Sequence, residues 1–268
     1  MVVFDYEKCI GCGLCAADCF PGAIQIEDKK AHFIENHNCM ECGHCIAVCP
    51  CNAVTIDTLD MKEVLELNDI SCGIDPEIYL NHLKTRRTIR TFADTDVSEE
   101  QINKILEAGR FSPSGGNRQT VAYHIFRDKV SEFKSLVIDE LKAMGDEARI
   151  TGIKNSWYSD FWLKMHHEFK TEGKDLLFFN AGTVIVVSSD SMQAAMIAAA
   201  HMETMVYSLG LGMLYSGFTT SAIGHSAKLQ EYVGLKEGYK VWSVLVIGCP
   251  KVIYQRTVPR KKADVIWD

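Results

Sequence analysis

The sequence predicts a mixed helix-and-strand chain in two parts, a small cysteine-rich module followed by a larger domain. Three observations predict it. The spacing CxxCxxCxxxC is written twice, from Cys9 to Cys19 and from Cys39 to Cys49. Two short β-branched runs, TVIVVSS (183–189) and VWSVLVIG (241–248), have the composition of core strands. Between them MQAAMIAAAHMETMVYSL reads as a long helix with Ala and Met on more than one face, which needs burial all round, in a core or against a partner subunit.

The 268 residues, 47% hydrophobic, suffice for one large core and a small second one. No run of about eighteen uncharged apolar residues is present, so a membrane span is not expected. The N-terminus lacks the basic start and apolar stretch of a signal peptide. Nine of the eleven cysteines precede residue 52. Their repeated close spacing suits a metal centre better than disulfides, which points to a reducing cytoplasm. Residues 1–60 hold three lysines and nine carboxylates, a balance of −6 out of −7 for the whole chain. Such a face repels nucleic acid and could steer a basic partner, although solubility alone would also explain it. No DNA-binding motif or basic stripe is present.

Within residues 1–58 the two halves form a pseudo-repeat. AIQIE (23–27) and AVTID (53–57) alternate like half-buried strands and follow their cysteine runs at equivalent offsets. Gly11, Gly13 and Gly43 sit between cysteines, where the backbone must curl and needs positive φ. Two zinc sites are the competing reading. Zinc usually takes paired CxxC units with a longer gap, whereas three cysteines at three-residue steps and a fourth after four fit a cubane. The spacing resembles the dicluster ferredoxins, in which the fourth Cys of each run ligates the other cluster. The resemblance implies one 4Fe–4S cluster on Cys9, Cys12, Cys15 and Cys49, and a second on Cys39, Cys42, Cys45 and Cys19. The proline after the first run, Pro21, stands one place later than Pro50 does after the second. Cys51 and Cys72 read as packed or idle thiols.

Residues 59–75 read as a firm connector that opens with a short helical pattern, with Met61, Val64, Leu65 and Leu67 on one face. Asp75-Pro76 then starts a helix, with Asp75 as cap. In RRTIRTFAD, the guanidinium groups of Arg86, Arg87 and Arg90 could clamp a phosphate, although a solvated basic patch is the blander reading. Ser98 caps a helix carrying Ile102, Ile105, Leu106 and Ala108. SPSGGN (112–117) is a turn-rich loop ahead of the strand VAYHIF. GLGMLYSG (210–217) is not a dinucleotide fingerprint, because its third glycine is replaced by Tyr215 and no βαβ unit is expected around it. Residues 139–175 look like an insertion over the site. Their aromatics Trp157, Tyr158, Phe161, Trp162 and Phe169 could stack a planar substrate, though burying one helix face is the favoured reading. His166 and His167 are adjacent on a helix and point about 100° apart, so they are not read as a metal pair. His201 reads as a core or interface histidine.

The order RRTIRTF, capped helix, SPSGGNRQ and strand, continued by LFFNAGTVIVVSS, LGMLYSGF and VWSVLVIGCPK, resembles the nitroreductase family of flavin enzymes over nearly all of residues 76–268. The fused cysteine module resembles a ferredoxin-linked subclass. The resemblance implies an α+β sandwich, a mostly antiparallel sheet flanked by helices, in an interlocked homodimer with FMN at the interface. It places Arg86, Arg87, Thr88 and Arg90 on the FMN phosphate and ribityl chain. Pro113, Ser114 and Asn117 would lie against the flavin. Ser216 and Gly217 would offer backbone amides near the flavin nitrogen that accepts hydride, and Arg260 would reach the phosphate.

The expected protein is an iron–sulfur flavoprotein passing electrons through two clusters to FMN and on to a nitro, quinone or other conjugated acceptor. No catalytic side chain is named, because the cofactor carries the chemistry. The donor is expected to be a ferredoxin-type protein or a nicotinamide, with the acidic module and missing fingerprint favouring the former. An electron carrier between a ferredoxin and a protein partner is the alternative, and a redox sensor a third option.

Overall fold

The computed structural model describes residues 1–151 and 156–268. It divides into two compact units, one comprising Met1–Ile74 with Ser114–Arg118, the other Asp75–Pro113 with Gln119–Asp268.

The first unit is built twice over. Strand β1 (Val2–Phe4), helix α1 (Leu14–Ala17) and strand β2 (Ile24–Glu27) are followed by β3 (Lys30–Phe33), α2 (His44–Ala47) and β4 (Val54–Ile56). The two helical turns start thirty residues apart, after Gly13 at φ 80° and Gly43 at φ 74°. Both glycines occupy the left-handed region, which lets the chain turn sharply between cysteines. β1 pairs with β4 and β2 with β3, both antiparallel, so the outer strands exchange between the halves. The core is small: Val2, Phe4, Ile24, Ala31, Val54 and Ile56 close on Cys15 and Cys45.

The connector departs from expectation. Instead of one helical face, Met61–Glu63 and Leu67–Asp69 form two separate 3₁₀ turns, and Val64, Leu65 and Leu67 are exposed. Four apolar residues in seven are too few to nucleate a helix without a surface to bury them against.

The second unit is an α+β sandwich around one antiparallel sheet. Helix α3 (Pro76–Thr85) begins on the Asp75 cap, and α4 (Glu99–Arg110) carries a full capping box between Ser98 and Gln101. Strand β5 (Ala122–Phe126), helices α5 (Val130–Thr151) and α6 (Ser156–Glu172), strand β6 (Thr183–Ser189), helix α7 (Met192–Ser208), strand β7 (Gly212–Tyr215), helices α8 (Gly217–His225) and α9 (Ala227–Val233), and strand β8 (Lys240–Gly248) follow. The strand order is β5-β6-β8-β7. β6 is buried along its whole length, and its side chains alternate between two cores. Val184 and Val186 join Val244 and Val246 on one face; Ile185 and Val187 join Leu245 and Ile247 on the other. A central strand covered on both sides reads as a continuous apolar run. The first face packs Phe133, Val137 and Leu141 of α5 and Met165 of α6. The second packs Ile102 and Ile105 of α4 with Ala195, Ala199 and Met202 of α7.

Within one chain α7 is covered on one side, and Met192 and Met196 are exposed beside the exposed His201 on the other. GLGMLYSG does pass from strand β7 into helix α8, but β7 and β8 pair antiparallel, so the βαβ setting of a dinucleotide site is still missing. Among the described residues no helix is long and apolar enough to cross a membrane.

One buried ion pair shapes the loop between α6 and β6. Asp175 accepts hydrogen bonds from the amides of Leu177 (3.0 Å), Phe178 (2.8 Å) and Asn180 (2.9 Å). Lys134 of α5 adds its Nζ at 2.7 Å, with the two side chains 12% and 1% exposed. Removing one partner leaves the other charge buried and uncompensated, at a cost of about 3–5 kcal/mol. Asp175→Ala should therefore lower stability by about that amount in denaturant unfolding, with Asp175→Asn intermediate. A loss within about 0.5 kcal/mol, the range of an ordinary surface substitution, would show that this loop does not depend on the carboxylate.

Candidate functional site

In the first unit the cysteines line two separate cavities. One is lined by Cys9, Cys12, Cys15 and Cys49. The other is lined by Cys19, Cys39, Cys42 and Cys45. The fourth cysteine of each run thus faces the cavity of the other run. Cys51 borders the first cavity as an additional thiol. The sulfurs surround a space rather than meet at a point. Among the described residues no group of three or more His, Cys, Asp or Glu is placed to hold a single metal ion. Four cysteines lining one shared space are the donor set of a cubane cluster.

Backbone amides point at the sulfurs. Ala23 N donates to Cys19 Sγ and Ala53 N to Cys49 Sγ, both at 3.3 Å, and Glu41 N to Cys39 Sγ at 3.3 Å. Such bonds favour the more negative, reduced state of a cluster and so set its potential. Gly11 is fixed by space as well as by φ: a Cβ there would stand 2.1 Å from the Lys29 carbonyl oxygen. Lys30 Nζ reaches back to the carbonyls of Tyr6 and Cys9, each at 2.6 Å, and brings a positive charge to the backbone at the start of the first run. Sequence reasoning did not single out Lys30; its place opposite the first run emerges only when β2 and β3 pair.

The arginine segment of the second unit is held against the sheet edge. Ile89 N donates to Met213 O at 3.0 Å, and Phe92 bridges to Pro250. Close approach is possible because Gly212 and Gly248 stand opposite; a Cβ would lie 2.5 Å from Ile89 Cγ1 and 2.8 Å from Phe92 Cδ1 respectively. Arg86 pairs with Glu203 of α7 at 3.1 Å. Burial pushes the Glu203 carboxyl up, and Arg86 pulls it back. Arg87 donates Nη1 to the Arg86 carbonyl, and its own carbonyl accepts the Tyr207 hydroxyl. Arg87 Nη2 is buried with no hydrogen-bond partner. A buried guanidinium nitrogen without an acceptor is costly, and a phosphate oxygen is the acceptor its fork geometry fits. Thr88 is half-buried between them.

Arg90, Ser216 and Gly217 come together on one solvent-open hollow of about 840 Å³, walled by Trp157, Tyr158 and Phe161. Ser216 N already donates to Val244 O at 2.8 Å, and its hydroxyl is within 2.7 Å of Thr219 Oγ1. The amide available at this corner is that of Gly217, the first residue of α8, where the helix offers no acceptor of its own. The α6 aromatics divide their work. Phe161, Trp162 and Phe169 pack on the core, while Trp157 is 67% exposed and stacks on Phe161 at 5.5 Å. His166 Nε2 lies 3.2 Å from Asp139 Oδ1.

The other expected site residues are divided between the two units or lie on the C-terminal stretch. Ser114 and Asn117 belong to the first unit and Pro113 to the second. Asn117 engages its amide nitrogen with the carbonyls of Met40 and Glu41. Arg260 is exposed on the irregular C-terminal stretch and does not border the hollow. Glu203 was not foreseen, although it is the only charged residue in α7 and could have been flagged for that reason.

Residues 83–249 match the nitroreductase family, well over half of the chain. The chain belongs to the nitroreductase family. Residues 1–50 match the 4Fe-4S dicluster domain. A relative from Archaeoglobus fulgidus described as a putative NADH dehydrogenase/NAD(P)H nitroreductase is 28% identical over 182 residues, 64% of this chain and 85% of its own length. Two solved structures share the fold: a BluB-like flavoprotein from Clostridium difficile (18% identity, 71% of this chain and 96% of that one, TM-score 0.55) and an FMN-bound nitroreductase from Bacteroides fragilis (18%, 70% and 97%, TM-score 0.54). In this nitroreductase-family chain, the dicluster match and the two cysteine-lined cavities describe the same residues.

The exchange of the fourth cysteines is directly testable. The protein should hold about eight irons per chain, and Cys19→Ser should leave roughly half. The low-temperature spectrum of Cys19→Ser should match that of Cys42→Ser. A match to Cys12→Ser instead would assign Cys19 to the first-run centre.

Proposed function

We propose that this iron–sulfur flavin oxidoreductase takes electrons one at a time through its first unit and uses them to reduce a small conjugated organic acceptor, a nitro compound or quinone. The observation that carries the reading is the presence, in one nitroreductase-family chain, of two four-cysteine cavities and an aromatic-walled hollow. When bound, the two 4Fe–4S clusters supply one-electron transfer and the FMN supplies two-electron chemistry.

The chain's own residues have the following parts. Cys9, Cys12, Cys15 and Cys49 hold one cluster and Cys39, Cys42, Cys45 and Cys19 the other, supported by their shared cavities. Arg86, Arg87 and Thr88 receive the FMN phosphate, supported by the unpartnered Arg87 nitrogen. Arg90 joins them toward the ribityl chain, the Gly217 amide faces the flavin ring system, and Pro113 contributes backbone beside it. Trp157, Tyr158 and Phe161 exclude water and stack a planar acceptor. Arg260 has no comparable support and is left out. An electron carrier would not need this aromatic wall, which favours the enzyme.

The functional form is a homodimer. Met192 and Met196 are exposed on α7, and Ile253, Ile266 and Trp267 on the C-terminal stretch are 81–90% exposed; apolar surface of this extent marks an interaction site. The donor is a ferredoxin-type protein, supported by the missing dinucleotide fingerprint at GLGMLYSG, where Tyr215 stands in place of the third glycine. A reducing, oxygen-poor cytoplasm is the compartment in which such clusters persist.

Anaerobic reduction with reduced ferredoxin and with a nicotinamide, tried separately while cluster and flavin absorbance are followed, tests this reading. Ferredoxin should bleach the clusters first, and a nitro compound or quinone should then reoxidise the protein. Zinc in place of iron, or fast flavin reduction by nicotinamide that bypasses the clusters, would overturn it. Arg87→Ala should weaken FMN retention by roughly ten- to a hundredfold, the worth of a hydrogen bond to a charged group. Equilibrium dialysis of FMN measures this, and unchanged affinity would remove Arg87 from the phosphate site.

A further inference from the structure

The first unit contains five residues from far along the chain, Ser114–Arg118, set among residues that otherwise all precede position 75. Asn117 is the residue that ties them in. Its Nδ2 donates to the Met40 carbonyl at 3.2 Å and to the Glu41 carbonyl at 2.9 Å. Both carbonyls lie in the turn between Cys39 and Cys42. The segment also packs there through Gly116, whose Cβ position is 4.0 Å from Met40 Sδ.

That turn is the strained half of the pseudo-repeat. At the equivalent place in the first run stands Gly11, at φ 67°; here it is Glu41, at φ 49°. A left-handed conformation is open to glycine at no steric cost, but a glutamate holds it only when its surroundings over-determine it. The two bonds from Asn117 are that determination. They also reach the sulfur. The Met40 carbonyl and the Glu41 N–H are opposite ends of one planar peptide, and the Glu41 N–H donates to Cys39 Sγ at 3.3 Å. Fixing the carbonyl end aims the amide end, and the added hydrogen bond polarises the peptide so that its N–H donates more strongly.

We infer that Asn117 is a positioning residue for the cluster held by Cys39: it locks the Met40–Glu41 peptide so that the Glu41 amide bonds Cys39 Sγ, and thereby raises that cluster's potential relative to an unlocked turn. The inference rests on the cluster reading of the second cavity. Asn117 touches no ligand itself and acts through the peptide.

The test uses the full-length protein purified anaerobically. Asn117→Gly removes the amide while keeping the left-handed backbone that Asn117 itself adopts at φ 54°. Redox titration followed by low-temperature electron paramagnetic resonance resolves the two clusters. At a fixed potential the reduced fraction of the second-run cluster should fall several-fold, up to about tenfold or about 59 mV for a one-electron couple. The first-run cluster should not move. Glu41→Gly relaxes the turn independently, so adding Asn117→Gly in that background should produce a clearly smaller shift. Asn117→Asp, which keeps the shape and the backbone preference but loses the donor, should lower the potential as well. Equal shifts of both clusters, no shift in Asn117→Gly, or loss of FMN with both potentials unchanged would overturn the inference. Wild-type protein that lacks two resolvable clusters would instead overturn the reading beneath it.

Discussion

The first unit depends on the exchange of Cys19 and Cys49 between its two cavities. Neither cysteine run closes a cavity by itself, so neither half can form its site without the other. The core that holds them together is small, six apolar side chains around Cys15 and Cys45, and a unit of this size cannot rest on hydrophobic burial alone. Burial pushes the Cys15 thiol up and the Cys45 thiol up to about 11. A cysteine binds iron as the thiolate, so iron binding would offset that burial cost and would couple to folding of this unit. The strand exchange of β1 with β4 then follows as the backbone counterpart of the ligand exchange.

In the second unit the equivalent constraint is a sheet covered on both faces. Because β6 and β8 feed two cores at once, no side chain of the central strands is free for chemistry. The site is left to the sheet edge and to the loops. The edge is where Gly212 and Gly248 let the arginine segment approach, and the loops are where Asp175 and the start of α8 set the backbone. Arg86 is drawn toward Glu203 and Tyr207 toward the Arg87 carbonyl, which leaves Arg87 Nη2 as the buried donor without an acceptor. The order of these contacts makes the arginines inequivalent although they are spaced within five residues.

How much of this was legible follows from sequence distance. The cysteine spacing, the capping box at Ser98 and the two β-branched runs are local patterns, and each reappears as a local element. The connector misled because its apolar spacing is helical while nothing in the first unit covers it. The composition of α7 states a need for burial without saying which side a single chain supplies. Asn117 was placed on the flavin by resemblance, and its amide bonds carbonyls 76 and 77 residues earlier. No periodicity encodes a contact of that separation. Glu203 was legible in principle, as a lone carboxylate in an apolar helix has to find a cation.

The residues that break local backbone rules show where the structure invests its polar contacts. Non-glycine residues with positive φ include Glu41 and Asn52 beside the second cysteine run, Asn117 and Gln119 around the SPSGGN loop, and Phe179 and Asn180 after α6. Each is disfavoured on its own, and at three of them a specific hydrogen bond sits close by. Asn117 holds Glu41, and Asp175 holds the amides on either side of Phe179, including that of Asn180. Phe179 in turn borders the hollow that contains Arg90 and Gly217. Two carboxamide or carboxylate side chains, each bonding several backbone groups, therefore set the shape of a cluster turn and of the hollow's wall. Strain that persists only because a polar side chain enforces it is a feature of sites rather than of scaffolds. On that ground Asn117 and Asp175 belong to the functional architecture of the chain even though neither contributes an atom to its chemistry.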